Sequence, residues 1–134
     1  MLKRLRDSRL LWETMGSIYN RRIYSAISEL YDYAANAIPV KDEMDLLDAG
    51  CGRGYIALKL AKMNPTARIT GIDFSLMQVR EARKLQNIQE VTNCCFEQGD
   101  AMSIRFAKNS FDAAVSIGSI KHWPDSLRGL GEIY

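Results

Sequence analysis

The fold of this chain is decided by the stretch Leu46-Leu47-Asp48-Ala49-Gly50-Cys51-Gly52-Arg53-Gly54. Within it an apolar run leads into an acid, and three glycines follow at alternate positions. A helical pattern starts directly after it, at Tyr55. This order predicts a strand that turns sharply into a helix and leaves its backbone bare where a ligand can approach. Glycine suits such a turn because it tolerates a positive φ and has no Cβ to block the ligand.

The spacing of the glycines argues against a dinucleotide-binding loop of the G-x-G-x-x-G type. In that pattern the third glycine would fall at position 55, which is the bulky Tyr55. The pattern here is D-x-G-x-G-x-G. A glycine loop alone is weak evidence for a particular ligand. The segments downstream of it therefore decide which class of ligand is expected.

Three segments after the loop predict further strands. Residues 68–73 predict a strand that ends in Asp73, which lies 19 residues after Gly54. At about this distance a βαβ unit brings the end of its second strand beside the first loop. Residues 97–101 predict the end of a third strand, and residues 111–117 predict a buried fourth strand. Because strand alternates with helix three times, we expect a parallel sheet with right-handed crossovers.

Capping residues and apolar spacing predict the helices between these strands. The helix after the second strand is expected to open with a capping box formed by Ser75 and Gln78. The last helix is expected to start at Pro124, because proline is favoured in the first helical turn. Leu127 and Leu130 are predicted to face inward from it.

Together, the D-x-G-x-G-x-G loop, Asp73, the segment 97–101 and the segment 111–117 resemble the class I S-adenosylmethionine-dependent methyltransferases. The order of these elements is similar to the small-molecule methyltransferase group in particular. The resemblance covers about residues 44–134. It implies an α/β fold with a Rossmann-like doubly wound parallel sheet, of which this chain holds strands 1–4 only, preceded by N-terminal helices.

The resemblance also implies how the chain is organised. Residues 1–134 would form a single methyltransferase-like domain, with an N-terminal helical cap over residues 1–40 and a cofactor-binding αβ core over residues 41–134. The family normally continues into a further parallel strand and then an antiparallel pair. Since no such strands follow the last predicted helix, we expect a chain truncated after the fourth strand and its helix.

Several residues receive roles from the resemblance. Asp73 would accept hydrogen bonds from both ribose hydroxyls of S-adenosylmethionine, and Asp100 would accept one from the adenine amino group. Asp48 would help to orient the methionine end, or would only cap the following helix. Phe74 would lie against adenine or pack in the core. The other residues that we expect at the cofactor are Ala49, Gly50, Cys51, Gly52, Gly54, Ala101, Ile117 and Tyr19.

The single histidine, His122, follows the predicted fourth strand, where the family places its reacting centre. A neutral imidazole there could accept a proton from a substrate hydroxyl or amine. The alternatives are a solvated loop residue or a hydrogen-bond partner for a backbone carbonyl. Because the sulfonium of the cofactor already makes its methyl group electrophilic, such a base is needed only when the nucleophile is protonated.

Composition and charge limit the class of protein. A chain of 134 residues is long enough for one domain with a core, and a net charge of +2 gives no reason to expect a nucleic-acid partner. No apolar run is long enough to cross a bilayer. The three cysteines, Cys51, Cys94 and Cys95, match neither a disulfide framework nor a metal site. We therefore expect a cytoplasmic protein with reduced thiols and no metal.

Three functions from different classes follow from these observations. We favour the transfer of a methyl group from S-adenosylmethionine to a small-molecule acceptor. The alternatives are a non-catalytic S-adenosylmethionine-binding or interaction module and an NAD-dependent oxidoreductase. Tyr55 at the third-glycine position and Asp100 both argue against the oxidoreductase. The unpaired outer edge of the predicted strand 111–117 also predicts one of two outcomes. The chain forms a homodimer or aggregates through that edge, or it is marginally stable with a frayed last helix.

Overall fold

A computed structural model of the protein describes residues 28–134. The predicted cofactor contact of Tyr19 and most of the predicted N-terminal cap therefore lie outside the described residues. The described part begins with a helix over residues 28–37, called α1. After it come β1 Asp45–Ala49, α2 Tyr55–Met63, β2 Arg68–Asp73, α3 Leu76–Ile88, β3 Cys94–Gln98, β4 Ala113–Val115, a 3₁₀ helix Ile120–His122 and α4 Ser126–Ile133.

The four strands form one parallel sheet in the order β3-β2-β1-β4. β1 lies inside the sheet, with Leu47 opposite Thr70 of β2 on one side and Ala114 of β4 on the other. The prediction of a Rossmann-like parallel sheet is confirmed. The chain leaves β1 toward β2 and returns on the far side as β4, so the strand order reverses between β1 and β4. In sheets of this kind ligands bind beyond the carboxyl ends of the strands at that point.

The two faces of the sheet are covered unequally. On the α2 and α3 face, fifteen buried residues form one core cluster that includes Leu46, Leu60 and Phe96. On the opposite face the core cluster is smaller and holds four buried apolar residues: Leu47, Ala49, Ile72 and Ala101. The stability of the described part therefore comes mainly from the α2 and α3 face, where the larger apolar area is removed from water.

The fourth strand is shorter than predicted. The prediction was a buried strand over 111–117, but β4 spans Ala113–Val115 and all three of its residues are only half-buried. Phe111 precedes the strand, and its ring packs against the smaller core cluster and edge-on against Phe106, with centroids 5.0 Å apart. At the other end Gly118 adopts a φ of +70°, which turns the chain away from the sheet.

The prediction for the last helix is partly wrong. The helix begins at Ser126, because Asp125 accepts a hydrogen bond from the Arg128 amide at 3.0 Å and so acts as its N-cap. Leu127 is 81% exposed and Leu130 is 44% exposed, so neither faces inward as predicted. The buried position is Gly129, which lies against the ring of Trp123.

The N-cap half of the capping box predicted for α3 is confirmed, whereas the Ser75 amide donates to Oδ1 of Asp73 at 2.9 Å. Ser75 is the N-cap and its hydroxyl accepts a hydrogen bond from the Gln78 amide at 3.4 Å. No helix within residues 28–134 combines the length and the apolar character needed to cross a membrane.

Candidate functional site

A cavity opens beyond the carboxyl ends of the strands, between the glycine loop and the loop that follows β4. Ten of the predicted site residues line it: Asp48, Gly50, Cys51, Gly52, Asp73, Phe74, Asp100, Ala101, Ile117 and His122. Ala49 and Gly54 are not among the lining residues, and both are buried in the protein interior. The fold therefore gathers into one place residues that are up to 74 positions apart in sequence, from Asp48 to His122.

The glycine loop is tied to the end of β2 by backbone hydrogen bonds. The amides of Gly50 and Cys51 both donate to the carbonyl oxygen of Ile72, at 2.8 and 2.9 Å. The amide of Gly52 donates to Oδ2 of Asp73 at 2.8 Å. Three successive amides thus meet one strand end, and this fixes the path of the loop at the floor of the cavity.

The three loop glycines serve different purposes, although each has a positive φ. A Cβ on Gly50 would lie 1.8 Å from Oγ of Ser119, and a Cβ on Gly54 would lie 2.5 Å from the ring of Phe96. A Cβ on Gly52 would meet nothing within 4 Å. Gly50 and Gly54 are therefore needed for packing, whereas the bare backbone of Gly52 faces open space where a ligand can approach.

Asp73 has a carboxylate that organises the loop and also faces the cavity. Its Oδ2 accepts from the Gly52 amide, and its Oδ1 accepts from the Ser75 amide at 2.9 Å. Each carboxylate oxygen has two lone pairs, so the group is able to accept hydrogen bonds from a ligand in addition to these two. Asp100 is similar, since its Oδ1 accepts from the Met102 amide at 3.0 Å at the turn after β3.

Asp48 is a buried carboxylate at the end of β1, with 2% of its surface exposed. Burial raises the pKa of Asp48 to about 7, and the nearby charge of Asp73 contributes in the same direction. Burial and the same two acids also raise the pKa of the Cys51 thiol well above its ordinary value. A cation that entered the cavity would favour the ionised form of Asp48, because opposite charges at short range stabilise each other.

The loop after β4 forms the opposite side of the cavity. Nε1 of Trp123 donates to Oγ of Ser119 at 2.8 Å, and the amide of His122 donates to the Ser119 carbonyl at 2.8 Å. His122 is half-buried at the cavity. From α1, the hydroxyl of Tyr31 reaches within 3.7 Å of the place where a Cβ on Gly118 would lie.

Twelve further residues line the cavity without having been predicted there. They are Tyr31, Arg53, Tyr55, Ile56, Ser75, Gln78, Gly99, Met102, Gly118, Ser119, Trp123 and Pro124. Ser75 and Gln78 were recognised only as a helix cap. Adjacency in sequence to Gly52, Asp100 and Ala101 could have identified Arg53, Gly99 and Met102. Nothing local marks Tyr31, because its place depends on how α1 packs. Among residues 28–134, no group of three or more His, Cys, Asp or Glu side chains is arranged to hold a metal ion.

The class of protein follows from this geometry together with a family comparison. Residues 40–134 match the family model described as a methyltransferase domain. The chain therefore belongs to the methyltransferase-domain family, and the predicted resemblance to class I S-adenosylmethionine-dependent methyltransferases is confirmed.

Individual relatives include enzymes named for small-molecule acceptors. The chain is 37% identical over 108 residues to a sterol 24-C-methyltransferase of Gibberella zeae, covering 80% of this chain and 28% of that protein. It is 35% identical over 92 residues to the chloroplastic 2-methyl-6-phytyl-1,4-hydroquinone methyltransferase 2 of Oryza sativa subsp. japonica, covering 69% of this chain and 26% of that protein.

Solved structures show the same fold. The crystal structure of the (4+2)-cyclase SpnF matches with a TM-score of 0.74 and 34% identity, covering 81% of this chain and 40% of that one. The chain spans about a quarter of the length of the two methyltransferases named above.

Proposed function

We propose that this chain forms the S-adenosylmethionine-binding part of a methyltransferase that acts on a small-molecule acceptor. The observation that carries the proposal is the meeting of Gly52, Asp73 and Asp100 at one cavity, at the ends of three neighbouring strands. The family match and the relatives named as sterol and hydroquinone methyltransferases support it. Neither supports the NAD-dependent oxidoreductase.

The residues at the cavity fit S-adenosylmethionine. Gly52 leaves a space that any side chain would fill, beside a carboxylate of Asp73 that is able to accept from ribose hydroxyls. Asp100 and Ala101 offer an acceptor and a backbone amide for adenine, with Phe74 beside them. Asp48 supplies a carboxylate for the ammonium group at the methionine end. The cofactor, when bound, supplies a methyl group made electrophilic by its sulfonium.

The protein itself would contribute position, exclusion of water and a proton acceptor. The glycine loop and Asp73 would hold one reactant, and proximity to a bound acceptor would lower the barrier to transfer. Ile117 and Trp123 present apolar surface to the cavity and would exclude water. His122 would accept the proton of an acceptor hydroxyl or amine.

Calorimetry with S-adenosylhomocysteine tests the site. Asp73→Ala should weaken binding by at least tenfold, because hydrogen bonds to a charged group each contribute about 1.5–3 kcal/mol. The control is Asp112→Ala, since the Asp112 side chain also accepts from a backbone amide, that of Asp45 at 2.8 Å, where Asp73 accepts from two. Asp45 begins β1, so this control lies at the opposite end of the strand from the cavity.

The control variant should bind as the unaltered protein does. Equal affinities for all three proteins would contradict the role given to Asp73. No binding of S-adenosylhomocysteine by the unaltered chain, or tighter binding of NAD, would contradict the assignment of the cofactor.

A second candidate function is supported by the similarity to SpnF, which is named a cyclase and not a methyltransferase. By analogy, the chain would belong to a protein that uses this cavity for something other than methyl transfer. The non-catalytic module considered above is one such protein. Transfer of an isotope-labelled methyl group to any acceptor in a small-molecule panel would favour the first proposal. Binding of S-adenosylhomocysteine without turnover on that panel would favour the second.

The remaining partners and the location are proposals as well. We propose a small-molecule acceptor, with neither nucleic acid nor a membrane as a partner, in the cytoplasm. Cys94 is buried and Cys95 exposed, so the adjacent thiols point to opposite faces of β3, which agrees with reduced cysteines. The proposed homodimer would form through β4, which pairs with β1 on one side and has no strand on its other side within residues 28–134. Sedimentation as a monomer at micromolar concentration would contradict it.

A further inference from the structure

One serine joins the two sides of the cavity. A Cβ on Gly50 would lie 1.8 Å from Oγ of Ser119 and 2.6 Å from its Cβ, so this contact exists only because position 50 is glycine. The same hydroxyl accepts the hydrogen bond of the Trp123 indole at 2.8 Å. The Ser119 carbonyl accepts from the amide of His122. Ser119 therefore contacts the glycine loop with one side and holds the segment of His122 and Trp123 with the other.

Each partner of Ser119 is in turn held by a larger element. Gly50 is tied to the end of β2 through its amide, which donates to the Ile72 carbonyl at 2.8 Å. Trp123 is pressed against α4, since a Cβ on Gly129 would lie 2.4 Å from its ring. The chain of contacts thus runs from β2 through the glycine loop and Ser119 to α4, with the cavity beside it.

We propose that Ser119 is a positioning residue for the reaction assigned above. Its hydroxyl seats the segment that carries His122 and Trp123 on Gly50, and this keeps the spacing between the two sides of the cavity constant. The consequence for catalysis rests on the proposed function, whereas the contact between Ser119 and Gly50 is a property of the protein without ligand. Loss of the hydroxyl would leave the half-buried indole N–H without its acceptor, and the segment would shift to find another. Small displacements of this kind impair the alignment of reacting groups.

The position of the segment that carries Trp123 is measured through the exposure of its indole to a fluorescence quencher. The chain has two tryptophans, so Trp12→Phe leaves Trp123 as the only indole. In that background Ser119→Ala should raise acrylamide quenching of Trp123 about twofold. It should also weaken S-adenosylhomocysteine binding by about three- to tenfold, the range expected for one hydrogen bond.

The matched control is Ser110→Ala, which also removes one hydroxyl, here one that donates to the Ala107 carbonyl at 2.6 Å. Ser110 is exposed and does not line the cavity. Neither quenching nor affinity should change in this variant. The proposal requires a change in Ser119→Ala and none in Ser110→Ala.

A double-mutant cycle with Trp123→Phe separates the hydrogen bond from the rest of the contact. Phenylalanine keeps an aromatic ring and lacks the indole donor. If the two side chains act as one unit, the double variant should bind S-adenosylhomocysteine within about twofold of the weaker single variant. Losses that multiply in the double variant would overturn the proposal, as would unchanged quenching in Ser119→Ala. If the unaltered chain binds no S-adenosylhomocysteine, the proposed function fails, and the quenching result alone decides on Ser119.

Discussion

The two walls of the cavity are built differently. The glycine-loop wall comprises residues 48–54 and 73–75, and the β4 wall comprises residues 117–124. In the glycine-loop wall Asp48, Cys51 and Ser75 are buried, and successive backbone amides donate to the end of β2. In the β4 wall every residue is half-buried or exposed, and side chains of Ser119 and Trp123 contact the glycine loop at Gly50.

The difference shows which wall of the cavity has a fixed shape and which has a shape that single substitutions can change. Backbone hydrogen bonds leave the path of the glycine-loop wall independent of most side chains, which suits a ligand that is always the same. The β4 wall depends on individual side-chain contacts, so its shape changes with single substitutions. This contrast agrees with the proposed function, in which the glycine-loop wall makes most of the cofactor contacts and the β4 wall carries His122.

The largest effect should come from His122 in the β4 wall. Once an acceptor is found, His122→Ala should lower kcat by about 10²–10⁴-fold if the imidazole takes the proton of the acceptor. Affinity for S-adenosylhomocysteine should stay within about twofold. The neighbouring exposed Lys121 supplies a control, since Lys121→Ala should leave kcat unchanged. A loss of less than threefold in His122→Ala would leave this histidine with no role in proton transfer.

Matched glycine substitutions compare the rigidity of the two walls. Gly54→Ala should lower the free energy of unfolding by roughly 2–6 kcal/mol, because strain at its φ of +80° adds to a clash with the ring of Phe96. Gly118→Ala should cost only about 1–2 kcal/mol, since φ is +70° but the nearest atom to its Cβ is the Tyr31 hydroxyl at 3.7 Å. Urea unfolding measures both. Equal losses would show that the β4 wall is as tightly packed as the other.

The stability of the glycine-loop wall should depend on pH through Asp48. Its pKa of about 7 in the folded protein exceeds the ordinary value of 3.8, so the folded state binds more protons between these two values. The free energy of unfolding should therefore be highest near pH 4 and fall as the pH rises toward 7, by at most about 1.4 kcal/mol per pH unit.

Two variants check that assignment. Asp48→Asn should flatten the pH profile of unfolding between pH 4 and 7, because the amide does not ionise. Asp112→Asn, at the far end of β1 from the cavity, should leave the slope unchanged. An unchanged slope in Asp48→Asn would assign the pH dependence to another group.

Much of the fold could be predicted because its signals are local. The loop spacing placed the first turn, and the distance from Gly54 to Asp73 placed the end of the second strand beside it. Ser75 and Gln78 marked the start of α3, since a cap depends on residues three positions apart. Ten of the predicted site residues share one cavity because parallel strands end at the same edge.

The errors arose where distant packing decides. Leu127 and Leu130 have helical spacing, yet that spacing states only that they share a stripe of α4 and not which stripe meets the core. Gly129 is the residue of α4 that lies against the ring of Trp123, because only a residue without a Cβ fits there. β4 is shorter than its apolar run, since a strand extends only as far as a neighbouring strand pairs with it.

The sequence by itself thus determined the sheet, the glycine loop and the acids at the strand ends, because backbone geometry and spacing control them. Only the tertiary structure decided that Ser119 lies on Gly50 and that Tyr31 borders the cavity. Gly50 and Ser119 are separated by 69 positions, and no local pattern encodes their contact. It exists because β1 and β4 pair side by side, so the loops that follow them meet beyond the same ends of the two strands.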